Sequence, residues 1–217
     1  MKIGIIGAGN IGGTLTRRLT ALGHDVSVAN SRGPETLSSL AEETGAHAVT
    51  ARDAARNKDL VIVTIPERDI PDLPGDLFAG TDGTVVVDTG NYYPKRDGRI
   101  DAIESGTPES AWVSQQIGHP VVKAFNNIYA QHLMDNGQPA EKAGRIALPV
   151  AADHPADKQV VMELVNELGF DAVDAGTLAD SWRQQPGTPV YATDHNADGV
   201  RRALAQASPE RQPQFRA

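Results

Sequence analysis

At 217 residues the chain is long enough for one well-buried core, or one domain with a small appendage, and too short for two full domains. An apolar content of 40% with 22% charged residues is ordinary globular usage, which excludes a disordered chain, and apolar runs of strand length exclude helical membrane spans. The absence of cysteine excludes disulfides, thiolate metal sites and cysteine nucleophiles, and the net charge of −8 argues against unspecific binding to nucleic acid or an anionic membrane.

The chain opens as MKIGIIGAG and enters a predicted strand at its second residue, so a soluble cytoplasmic protein without a leader peptide is expected. A helix follows from Asn10 to Gly23, where Ile11, Leu15, Leu19 and Leu22 form one apolar stripe. "DVSVAN" reads as the second strand, a helix runs from about Pro34 to Thr44, and "AHAVT", a short helix and "LVIVTI" come next. Further strands are expected at 84–90, 120–127, 145–152 and 171–176. A helix from Pro108 to Ile117 turns Trp112 and Ile117 inward, and another is entered through Pro155 and left through Gly169. Beyond Gly176 the pattern weakens to a helix, a Pro/Gly loop, a helix around Val200 to Ala207 and a fraying tail. This alternation predicts an α/β protein with a Rossmann-type, doubly wound, mainly parallel sheet. It forms one domain over 1–217, with a small C-terminal α/β extension over roughly 145–207 that closes the acceptor side.

Gly7, Gly9 and Gly12 stand in G-x-G-x-x-G spacing between a strand and an amphipathic helix. The first permits a tight turn, the second lets the backbone approach a pyrophosphate, and the third lets helix and strand pack closely. The residue ending the second strand lies beside the adenosine ribose. An acid there suits NAD, but this chain has Asn30, Ser31 and Arg32, a hydroxyl and a guanidinium suited to the 2′-phosphate of NADP. The same Asn-Ser-Arg-Gly-Pro run also reads as a turn opening the next helix. The six histidines show no i, i+4 pair, so no metal site is expected, and His132, which follows the sixth strand closely, is the one candidate for the site.

"GAGNIGGTL", "NSRGPETL", "DTGNYYPKRDG", "VVKAFNNI" and "LGFDAVDAGTLADSWRQQPGTPVY" together resemble the NADP-dependent oxidoreductases of coenzyme F-420, an 8-hydroxy-5-deazaflavin. The resemblance spans roughly residues 2 to 192. It implies hydride transfer between NADP(H) and a deazaflavin such as F-420, or FAD or FMN, with a homodimer as the expected assembly. It also implies cofactor contacts from Ala8, Asn10 and Ile11 beside the glycines, and from Thr64, Ile65 and Pro66 at the end of the fourth strand. Asp88, Thr89 and Asn91 of the fifth strand and Ala124, Phe125 and Asn126 of the sixth would line the nicotinamide or acceptor end. Each has a structural reading beside it: Asp88 as a turn cap, Phe125 as core, Lys123 as the partner of an acid. Asn126 and His132 are the acceptor-site residues, while Trp182 and Tyr191 either wall a ring or pack the C-terminal segment. No general acid stands out, which suits direct ring-to-ring hydride transfer. Reduction of a small carbonyl or imine, and a silent NADPH-binding sensor, are the two other readings.

Overall fold

The computed structural model describes residues 1–81 and 83–217. The first half alternates β1 (Lys2–Ile6), α1 (Asn10–Ala21), β2 (Asp25–Ala29), α2 (Ser38–Thr44), β3 (His47–Ala48), α3 (Ala51–Ala55), β4 (Leu60–Val63) and β5 (Val85–Asp88). Two single helical turns, α4 (Pro94–Asp97) and α5 (Asp101–Glu104), precede α6 (Glu109–Ile117), β6 (Val122–Lys123) and α7 (Ala130–Asp135). The remainder holds β7 (Ala147–Val150), α8 (Pro155–Glu167), β8 (Asp171–Asp174) and α9 (Ala197–Ala205).

Six strands form one parallel sheet in the order β3-β2-β1-β4-β5-β6, the doubly wound Rossmann order. Ile3 faces Val26 on one side and Leu60 on the other, which puts β1 at the switch point of the strand order. Side chains alternate between two covered faces, as a parallel sheet requires. Ile3, Ile5, Leu60 and Ile62 pack with Leu15 and Leu19 of α1, whereas Ile6, Val61 and Val63 pack with Trp112, Val113 and Ile117 of α6. The stripe on α1 is therefore as expected at Leu15 and Leu19, although Leu22 stays 40% exposed at the helix end.

The C-terminal extension is a parallel pair, β7 and β8, joined to the edge of the main sheet. Lys123 and Ala151 exchange both backbone hydrogen bonds, 2.8 and 3.1 Å, as an antiparallel pair. Val190, Val200, Ala203 and Leu204 close a small core over β7 and β8.

Several expected elements are shorter. The strand expected over 120–127 is hydrogen-bonded as β6 only at Val122 and Lys123, because Phe125 adopts φ +62 and cannot continue the ladder. The helix expected from Pro34 begins as a 3-10 turn, Pro34–Leu37, before α2, and the segment after Gly176 is the 3-10 turn Leu178–Gln184. The tail does not fray. Arg211 reaches buried Glu109 at 2.7 Å, Gln212 bonds the Gly187 carbonyl at 2.6 Å, and the Phe215 ring lies 6.2 Å from that of Tyr93. Among the described residues, no helix is long and apolar enough to cross a membrane.

Candidate functional site

The loop between β1 and α1 separates the roles of its three glycines. A Cβ on Gly7, whose φ is +110, would lie 2.3 Å from the Thr64 carbonyl oxygen, and one on Gly12 would lie 1.9 Å from that of Gly7. A Cβ on Gly9 would meet nothing within 4 Å. The outer two glycines are thus demanded by packing, while the middle one faces open space at the N-terminus of a twelve-residue helix, where an anionic group fits. Gly9→Ala is expected to change folding stability by under about 1 kcal/mol and to abolish NADPH binding. Gly12→Ala is expected to cost about 1–3 kcal/mol of stability. Chemical unfolding and fluorescence titration of both variants check the contrast.

Gly7, Ala8 and Gly9 open onto a cavity of about 600 Å³, whose wall includes Asn30, Ser31 and Arg32 after β2 and Thr64, Ile65 and Pro66 after β4. The structure therefore brings together three groups that lie apart in the chain. Asn30 shapes the turn: its Oδ1 accepts from the Arg32 backbone N–H at 2.9 Å, and its Nδ2 donates to Thr36 Oγ1 at 2.8 Å. Ser31 and Arg32 are exposed, and among the described residues Arg32 has no acidic partner. Arg17, by contrast, is bound through two nitrogens to Glu43 at 2.6 and 2.8 Å. Asn10 borders a second cavity of about 830 Å³, which Ala8, Gly9 and Arg32 also line.

The ends of β5 and β6 are built differently, from side chains that satisfy one another. Asp88 accepts from the Gly90 N–H at 2.9 Å and from Ser110 Oγ at 2.5 Å, while Lys123 Nζ donates to the Gly90 carbonyl at 2.5 Å and pairs with Asp88 at 3.3 Å. Gly90 is thereby gripped at both its N–H and its C=O. The next residue, Asn91, donates to the Asn126 carbonyl at 2.8 Å and accepts from Asn126 Nδ2 at 3.0 Å. Asn126 in turn exchanges two hydrogen bonds with Gln184, through the Gln184 carbonyl at 2.7 Å and the Gln184 Nε2 at 3.0 Å. Ala124 and Phe125 are wholly buried. This chain of contacts ties three segments into one platform, with the amides facing each other.

Behind the platform lies a group of charges that sequence reasoning missed. Glu67 and Glu109 are both fully buried, and Arg96 pairs with Glu67 at 2.9 Å and with Asp97 at 2.7 Å. Burial, reinforced by the charges of Glu109 and Asp88, pushes the Glu67 carboxyl well above its usual range, and burial likewise raises Glu109. Burial would lower Lys123, but Asp88, Glu109 and Glu67 around it hold its pKa above the ordinary value. One signal was available: Glu109, Val113 and Ile117 lie at i, i+4 and i+8 of α6, so Glu109 sits on the inward stripe.

Other sequence candidates fall outside these groups. His132 is partly exposed and bonds Asp194 at 2.9 Å. Trp182 borders a cavity of about 770 Å³ together with Arg211 and Arg216 of the tail, and the Arg183 guanidinium lies over its ring. Tyr191 meets the Tyr93 hydroxyl in a half-buried pair.

The strand order and the glycine loop define a Rossmann-type dinucleotide-binding protein, and the comparisons with known proteins agree. Residues 2–92 match the family described as NADP oxidoreductase, coenzyme F420-dependent. A solved structure of the hypothetical protein SMa0349 from Sinorhizobium meliloti is 35% identical, with a TM-score of 0.78, covering 89% of this chain and 94% of that one. A structure from Arthrobacter sp. FB24, assigned as an F420-dependent NADP reductase, shares 23% identity at a TM-score of 0.69 over 83% of this chain and 87% of that one. Metalloreductase STEAP3 of Rattus norvegicus is 27% identical over 180 residues, 83% of this chain and 35% of that protein. The chain spans between a third and about half of the length of the curated relatives it matches. Its residues 2–92 are thus similar to the NADP-dependent oxidoreductase family named for coenzyme F420.

Proposed function

We propose that the protein transfers a hydride between NADP(H) and a flavin or deazaflavin ring. The glycine loop receives the pyrophosphate at Gly9, Asn10 and the start of α1, Ser31 and Arg32 hold the 2′-phosphate, and Thr64 to Pro66 flank the nucleotide. The cofactor supplies the hydride chemistry when bound. The platform of Asn91, Asn126 and Gln184 fixes the strand ends against which the rings align, and the C-terminal extension closes that side through Gln184.

The observation that carries the acceptor class is the mutual satisfaction of the polar side chains there. Asp88, Lys123, Asn91 and Asn126 bond one another or nearby backbone, so none is an unengaged general acid for a carbonyl substrate. Hydride transfer between two stacked rings needs alignment and exclusion of water more than an acid at the reacting carbon. One feature favours a second reading, reduction of a small carbonyl or imine. The Tyr93 and Tyr191 hydroxyls meet beside the same loops, and a tyrosine can donate a proton. NADPH oxidation measured with a deazaflavin, FAD, FMN and a panel of small carbonyls and imines separates the two. Turnover with a flavin-type acceptor is the expected result, and turnover confined to the small substrates would transfer the role to the tyrosines.

A further inference from the structure

Nucleotide binding does not by itself require the charges behind the platform. Glu67 directly follows Pro66 at the end of β4, and Asp88 is the last residue of β5. Their carboxyls converge on one point: an ideal Cβ on Gly90 would lie 2.5 Å from Glu67 Oε1 and 3.0 Å from Asp88 Oδ1. Around them, Lys123 of β6 pairs with Asp88, Arg96 of α4 with Glu67 and Asp97, and Arg211 of the tail with Glu109 of α6. Four carboxyls therefore stand against three cations. Two carboxyl oxygens, Glu67 Oε1 and Glu109 Oε2, are buried without a hydrogen-bond partner. A bare, buried carboxylate oxygen is costly, and a protonated carboxyl removes the charge that makes it so.

We propose that this cluster holds one proton, centred on Glu67, and exchanges it with solution according to the charge on the nicotinamide. The inference rests on the NADP(H) reading above. A doubly wound sheet receives its ligand at the carboxyl ends of its central strands, beside Pro66 and Asp88 here. The ring is neutral when reduced and cationic when oxidised, and a cation at that edge supplies the charge the cluster lacks. In the reducing direction the hydride passes to the acceptor, positive charge remains at the ends of β4 and β5, and Glu67 becomes a carboxylate by releasing its proton. The acceptor, having gained a hydride and one negative charge, takes up one proton from solution, which balances the proton that Glu67 releases to it. The direction of the Glu67 shift agrees, since burial first, then Glu109 and Asp88, favour its protonated form more than Lys123 and Arg96 oppose it. Tyr93 beside Arg96 is itself held neutral, its pKa raised by burial and by Tyr191.

The test is the pH dependence of NADP⁺ and NADPH binding, measured by fluorescence titration in the wild type and in Glu67→Gln, which mimics the protonated carboxyl. Both nucleotides carry the same 2′-phosphate, so its own titration cancels in the comparison. NADP⁺ affinity is expected to rise with pH by up to about tenfold per unit relative to NADPH, and Glu67→Gln should make the two profiles parallel. Infrared spectra of the unliganded wild type should show a protonated-carboxyl band that NADP⁺ diminishes and NADPH does not. Parallel profiles in the wild type, or a difference that survives in Glu67→Gln, would overturn the proposal. Failure of both nucleotides to bind at any pH would overturn the NADP reading, and absence of the infrared band would overturn the protonation of Glu67 independently of it.

Discussion

Arg32→Ala is expected to weaken NADPH binding by about tenfold to a hundredfold, the loss of a charge-assisted hydrogen bond worth about 1.5–3 kcal/mol, while leaving NADH affinity nearly unchanged. The expectation comes from what the turn after β2 leaves unengaged. Asn30 is occupied inside the turn with Thr36 and the Arg32 backbone, so replacing it would distort the loop and affect both nucleotides. The Arg32 guanidinium has no acid to neutralise it among the described residues, whereas nearby Arg17 is held by Glu43. An unpaired cation beside a bound ribose contributes to binding only when a phosphate is there. Parallel titrations with NADPH and NADH check the split, and an equal loss for both would reduce the stretch to a turn.

The second large effect is on stability. Lys123→Met is expected to destabilise the fold by about 3–5 kcal/mol near neutral pH, the cost of leaving a buried charge without its partner. Lys123 is completely buried, pairs with Asp88 and also bonds the Gly90 carbonyl, so its removal uncovers a carboxylate and loosens the loop carrying Asn91. The effect has a definite pH sense. Glu67 and Glu109 already have folded-state pKa values above their unfolded ones, and removing a neighbouring cation raises them further. Stability from such groups is fully present below the unfolded carboxylate range and is lost as pH rises through the folded value. The destabilisation should therefore be smaller near about pH 5 than near about pH 8. Urea unfolding of the wild type and variant at both pH values measures it, and a pH-independent difference would count against the charge explanation.

Legibility of the site varied from one strand end to the next. At β1 and β2 the relevant residues are local in sequence: the glycines announce a backbone conformation, and the missing acid after β2 is a single-position signal. At β5 and β6 the same strand-end logic located Asp88, Asn91 and Asn126, but not the contacts they make. Asn126 looked like a ligand-facing amide, yet its amide is held by Asn91 and Gln184, and Gln184 is 58 residues away in the chain. The tail was misread for a similar reason. A polar, proline-containing segment has the composition of a fraying end, and the groups that hold Arg211, Glu109, Gln185 and the Tyr92 ring, lie far from it in the chain.

The sequence by itself determined the parallel sheet and carried the expectations of a site at its carboxyl edge and of a phosphate at Arg32, because strand burial, glycine conformations and a missing acid are properties of short segments. The pairing of Lys123 with Asp88, the convergence of Glu67 and Asp88 on Gly90 and the lock through Gln184 were decided by folding. Energies of buried charges depend on which opposite charge lies within a few ångströms, and that distance is set by how β4, β5, β6 and the C-terminal segments pack, not by any spacing along the chain.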